Sequence, residues 1–137
     1  MKIFITIVAI AVLATVTYQC GSPVEPVNVT TWQRNLEDEK NQIILDLYSI
    51  DAAIERQLED MNSKVVTADK NIKVSISKAE KRLLIEKENI KKELSDVRSS
   101  TENTWDGVKQ DVKENITDIK IRVSRVREKM RNEIDRM

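Results

Sequence analysis

The sequence predicts an all-α protein of long amphipathic helices, forming either a coiled-coil hairpin or an antiparallel three-helix bundle. Three observations carry this expectation. Turn chemistry is nearly absent: Pro23, Pro26 and Gly21 fall within residues 21–26, and from Val27 to Met137 the only proline or glycine is Gly107. Strands need frequent turns, and turns draw on Gly, Pro, Asn and Asp. Charged residues make up 34% of the chain and aromatics only 4%, a balance that suits helices burying a narrow seam rather than a broad mixed core. Finally, the apolar residues recur at steps of three and four, the spacing of one helical face.

The first element is an export segment over residues 1–19. Lys2 is the only charge before Glu25, and Ile3 to Tyr18 is uncharged. A charged start, an apolar stretch and a stop at small residues are the marks of a signal peptide. The run Met1-Lys2, the apolar stretch, then Cys20-Gly21-Ser22 resembles the start of bacterial lipoproteins. The resemblance covers about the first 22 residues. It implies removal of residues 1–19, lipidation of Cys20 and attachment to a membrane of the bacterial cell envelope. Two other readings stay open. One is ordinary secretion after cleavage by the general signal peptidase. The other is an uncleaved transmembrane anchor, for which the 16 residues from Ile3 to Tyr18 fall a little short of the usual span. Cys20 is the sole cysteine, so an internal disulfide is excluded.

Residues 20–28 follow as a lipid-anchor cysteine and a flexible, Pro-containing tether. The helical domain then occupies residues 29–137. Thr30-Thr31-Trp32-Gln33 matches a capping box, in which a hydroxyl and a glutamine satisfy free backbone donors at a helix start. The apolar stripe runs Trp32, Leu36, Ile43, Leu47, Ile50, Ile54, Leu58, Met61, Val65, Ala68 and Ile72, with one step of seven across Lys40. It continues through Ile76, Ala79, Leu83, Ile90, Leu94 and Val97, and then from Trp105 through Val108, Val112, Ile116, Ile119, Val123, Val126, Met130 and Ile134 to Met137. Acid-before-base pairs at four-residue spacing decorate the other faces: Asp60–Lys64, Asp69–Lys73, Glu88–Lys92 and Asp118–Arg122. Each such pair adds about 0.2–0.5 kcal/mol.

Two places can break the helix, although the apolar spacing runs through both almost unbroken and either can also be continuous helix. Cap-prone and β-branched residues cluster over 62–67, and Ser99 with Glu102 forms a second capping box at 99–101. Breaks at both give three helices of about 33, 35 and 36 residues, whereas one break gives a hairpin. The stretch Trp105-Asp106-Gly107-Val108-Lys109-Gln110-Asp111-Val112-Lys113 resembles the tryptophan-containing C-terminal helix of small bacterial stress-response coiled-coil proteins. Across residues 30–120 that resemblance implies an apolipoprotein-like role.

Missing residue types exclude most chemistry. The chain has no histidine, which removes the commonest general base and metal ligand. Its one cysteine lies in the export region, so thiol catalysis and a metal site are not expected. No glycine-rich phosphate loop is possible with a single glycine in the body. Adjacent carboxylates such as Asp38 and Glu39 have nothing to place them in a cleft. The expected protein is therefore not an enzyme and has neither cofactor nor small-molecule substrate. Removal of residues 1–19 leaves 118 residues with 22 basic and 23 acidic side chains, a balance that gives nucleic acid no electrostatic preference.

Three further features have both a sharp and a plain reading. Lys120 to Arg136 carries seven basic residues against Glu128, Glu133 and Asp135; such a helix lies on anionic membranes or forms a solvated, salt-bridged face. Asn28-Val29-Thr30 and Asn115-Ile116-Thr117 match a glycosylation pattern that has no meaning in a bacterial protein. Trp32 and Trp105 are interface anchors or large core residues. The expectation is a non-enzymatic, lipid-anchored envelope protein offering an apolar seam to a second copy or a helical partner. The alternatives are an apolipoprotein-like stress protein binding membrane surfaces and a transmembrane-anchored helical adaptor.

Overall fold

The computed structural model describes residues 31–135. It is an all-α, antiparallel three-helix bundle: α1 Thr31–Val65, α2 Lys70–Ser99 and α3 Trp105–Ile134. The helices have 35, 30 and 30 residues, or about 45–52 Å each at 1.5 Å per residue. Cross-helix bonds fix the directions. Lys87 of α2 reaches Asp51 and Glu55 of α1, Arg122 of α3 reaches Glu86 of α2, and Lys109 of α3 reaches Glu39 of α1. The chain thus runs up, down and up, with α1 and α3 parallel.

The apolar stripe becomes one core. Ile43, Leu47, Ile50, Ile54 and Met61 of α1 meet Ile76, Leu83, Ile90 and Val97 of α2 and Val112, Ile116, Ile119, Val123 and Met130 of α3. Leu47, Ile54, Ile76 and Leu83 are fully buried, and burying a side chain of that size contributes about 1.5–3 kcal/mol. Trp32, at the start of α1, is exposed instead, while Trp105 is buried and opens α3. The last stripe residue, Met137, lies outside the described residues, as does Thr30 of the first capping box.

Both breaks exist, each slightly displaced from its expected place. Asn62 and Ser63 stay helical, and α1 ends at Val65. Ala68 then bonds back to the Lys64 carbonyl at 3.1 Å, and the Asp69 carboxylate caps α2 by accepting from the amides of Asn71 and Ile72 at 2.8 and 2.9 Å. This role takes Asp69 away from Lys73, and no ion pair between the two forms. At the second break the expected capping box is corrected. Ser99 is the last residue of α2 and its hydroxyl donates back to the Asp96 carbonyl, so it starts no helix. α3 starts at Trp105 instead, directly after Thr104, whose hydroxyl accepts from the Thr101 amide at 2.9 Å and closes the turn. Hydroxyl and carboxylate side chains close these turns, and among the described residues no backbone adopts a positive φ. That is how a chain with almost no Gly or Pro turns twice.

Of the four charge pairs read from spacing, Asp60–Lys64 forms at 2.8 Å. Glu88 pairs with Lys91 and Lys92 with Asp96, while Arg122 leaves Asp118 for Glu86. Glu88 and Lys92 thus exchange one helical neighbour for another, and only Arg122 takes a partner across the bundle in place of a neighbour worth a few tenths of a kcal/mol.

Candidate functional site

Two of the polar side chains inside the bundle sit where the apolar stripe has gaps. Between Leu36 and Ile43 the step of seven leaves a slot filled by Lys40. Between Leu83 and Ile90 the same gap holds Glu86. Both are buried, together with Glu93 and Ser100.

Lys40 and its neighbour Glu39 hold the turn between α2 and α3. The Lys40 ammonium donates to the Ser100 carbonyl at 2.6 Å and lies 5.8 Å from the centroid of the Trp105 ring. The Trp105 indole donates to the Glu39 carboxylate at 2.8 Å, and Lys109 donates to both oxygens of the same carboxylate. The Lys109 bond, helped by the indole, lowers the Glu39 carboxyl below its ordinary value.

Midway along the α2–α3 seam, Arg122 grips Glu86 with two donors at 2.7 and 3.0 Å, and Asn89 adds a third bond. Burial pushes Glu86 upward, yet the bonds from Arg122 and Asn89 outweigh it and the net displacement is downward. About two turns further along, Glu93 accepts from Asn115 at 3.0 Å. The second glycosylation-like motif therefore has its asparagine engaged in holding α3 to α2. A seam of Ile, Leu and Val at regular spacing tolerates sliding by a heptad. A buried charge finds its partner at one register only, the best-attested use of buried polar groups in helical assemblies.

Several clefts lie between helices. One of about 260 Å³ runs between α1 and α3, lined by Gln57, Met61, Arg127, Met130 and Ile134 among others. Gln57 Oε1 is the one buried side-chain oxygen without a hydrogen-bond partner among the described residues. Asp38 and Glu39 do not converge: Asp38 is exposed, and Glu39 is committed to Trp105 and Lys109. Among the described residues no group of three His, Cys, Asp or Glu is placed to hold a metal ion. None of their helices is long and apolar enough to cross a membrane. Cys20, the lipidation candidate, lies outside the described residues together with the export segment and tether.

No protein family, curated protein or solved structure matches this chain. Of the site residues that sequence reasoning missed, Lys40 and Glu86 had one visible signal, two steps of seven in a stripe otherwise made of threes and fours, whereas Glu93, inside the ordinary step from Ile90 to Leu94, had none.

Proposed function

We propose that this chain is a non-enzymatic envelope protein anchored by lipid on Cys20. Residues 1–19 are its leader, residues 21–28 its tether and the helical bundle its working body. The observation that carries the reading is the run Met1-Lys2, an uncharged stretch to Tyr18, then Cys20-Gly21-Ser22 and a Pro-containing spacer. Lipid on the sulfur and on the new amino group supplies the two-signal anchoring that one acyl chain does not. What supports an interaction or spacing role is a long rod-like bundle whose stripes bury one another and whose buried polar groups tie helix to helix.

The decisive measurement is the intact mass of membrane-extracted protein beside a Cys20→Ala version. Loss of residues 1–19 with added acyl mass is expected. An unmodified full-length chain retaining Met1 overturns the lipid anchor. The apolipoprotein-like alternative requires the stripes to leave one another for lipid. It predicts a gain of helicity when vesicles are added, whereas a bundle that stays closed keeps the same helicity and unfolds cooperatively without them.

A further inference from the structure

The total charge is balanced, but its distribution is not. Residues 70–85 and 118–135 hold eleven Lys and Arg against five Asp and Glu; from totals of 23 each, the rest of the chain holds 12 against 18. The first half of α2 and the second half of α3 lie side by side, because Glu86 and Arg122 bond across them.

Helical geometry sorts these residues into faces. On α2, Lys87 points to α1 and Glu86 to α3. Ile85, a further 100° round, therefore continues past α3 to the outside, with Val74, Lys78 and Lys81 on its line at helical spacing. On α3, Ile121 precedes Arg122 in the same sense and shares its line with Arg125 and with two exposed carboxylates, Asp118 and Glu128, which the face's four cations Lys78, Lys81, Arg82 and Arg125 outnumber two to one. Val74, Ile85 and Ile121 are 49%, 59% and 42% exposed. Lys78, Lys81, Arg82 and Arg125 are exposed and take part in no ion pair among the described residues. Ile85 and Ile121 stand at the same level of the bundle, beside the Glu86–Arg122 pair.

We infer that this α2–α3 outer face docks on an anionic lipid surface while the bundle stays closed. The cations meet headgroup charge, and the three aliphatic side chains enter the boundary with the acyl region. The interleaved apolar residues are aliphatic, with no aromatic to stack on a base, which favours lipid over nucleic acid. The inference goes beyond the anchoring reading and does not need it. The residues involved lie outside the core stripe, so it differs from unrolling as well.

The test uses the full-length Cys20→Ala chain, carrying one new cysteine at a time, Ile85→Cys, Ile121→Cys or Leu45→Cys, with an environment-sensitive fluorophore attached. On phosphatidylglycerol vesicles the labels at 85 and 121 shift to an apolar environment, the label at 45 on α1 does not, and helicity stays constant. Phosphatidylcholine vesicles give no shift. Adding Lys78→Gln and Arg125→Gln lowers the ratio of docked to undocked face about 25-fold, each cation contributing about a factor of five. A comparable shift at 45, an equal response to phosphatidylcholine or duplex DNA, a rise in helicity, or indifference to the double substitution each overturns the proposal. The site-resolved label keeps this result separate from the mass measurement on Cys20.

Discussion

Replacing Lys40 by methionine keeps the apolar stem and deletes the ammonium, which makes it the sharpest probe of the turn between α2 and α3. The Ser100 carbonyl loses the donor held at 2.6 Å; an acceptor left unsatisfied costs about 1–3 kcal/mol. The contact with the Trp105 ring takes with it about 0.5–1 kcal/mol. Opposing both is relief from desolvating a cation, on the order of 1–2 kcal/mol for an amine at the end of a bundle. The net expectation for Lys40→Met is a loss of about 1–1.5 kcal/mol. In a domain of about 100 residues that lowers Tm by about 5 °C. Urea unfolding followed by circular dichroism at constant pH gives the free energy directly, with an unchanged m-value as evidence that the native bundle is intact. A Lys40→Met protein as stable as the parent, or more so, would refute the reasoning. It would mean that the buried ammonium costs as much as its bonds return, and that a hydrophobic side chain serves equally well.

Other outcomes follow from the same structure. Leu83 is fully buried in the α2 seam, so Leu83→Ala lowers the unfolding free energy by about 2–5 kcal/mol; a loss below 1 kcal/mol in urea titration contradicts the packing described. Gly107 is helical and a Cβ there meets nothing within 4 Å, so Gly107→Ala raises stability by up to about 1 kcal/mol, and a lowered Tm counts against that placement. Glu39, Glu55 and Glu86 are each held below the ordinary carboxyl value of 4.5, by the Lys109 bond, by the Lys87 bond, and against burial by the Arg122 and Asn89 bonds respectively. A folded pKa below the unfolded one means that the unfolded chain binds more protons. The stabilisation is therefore complete above the ordinary carboxyl range and is lost as pH falls through the lowered values. Urea midpoints measured from neutral pH downward fall in that window, and Glu86→Gln flattens part of the slope; a midpoint that is level or rises on acidification contradicts these pairings.

The sequence alone determined the class and nearly the whole core. A stretch of 111 residues without proline and with one glycine cannot turn often enough for a sheet, and apolar steps of three and four define one face of a helix wherever the helix packs. Hence Ile43, Leu47, Ile54, Leu83, Ile119 and Met130 were legible as core without knowledge of their partners. Periodicity is local, so it left undecided where the chain turns, which helix faces which, and whether the helices number two or three. Tertiary structure decided those points. It spent the stripes on one another, moved Asp69 from a surface pair to a helix cap, and started α3 at Trp105, after Thr104, rather than at Ser99. It also gave Arg122 to Glu86 instead of to Asp118. The Arg122 pairing depends on which group lies across a seam, and a one-dimensional spacing carries no term for a neighbour 36 residues away, or 60 for Lys40 and Ser100; Asp69 and Thr104 act within their own turns, where several cap-prone residues compete for the same role. The gaps at Lys40 and Glu86 were visible in the stripe. Only the fold showed that each gap is a buried charge with a waiting partner.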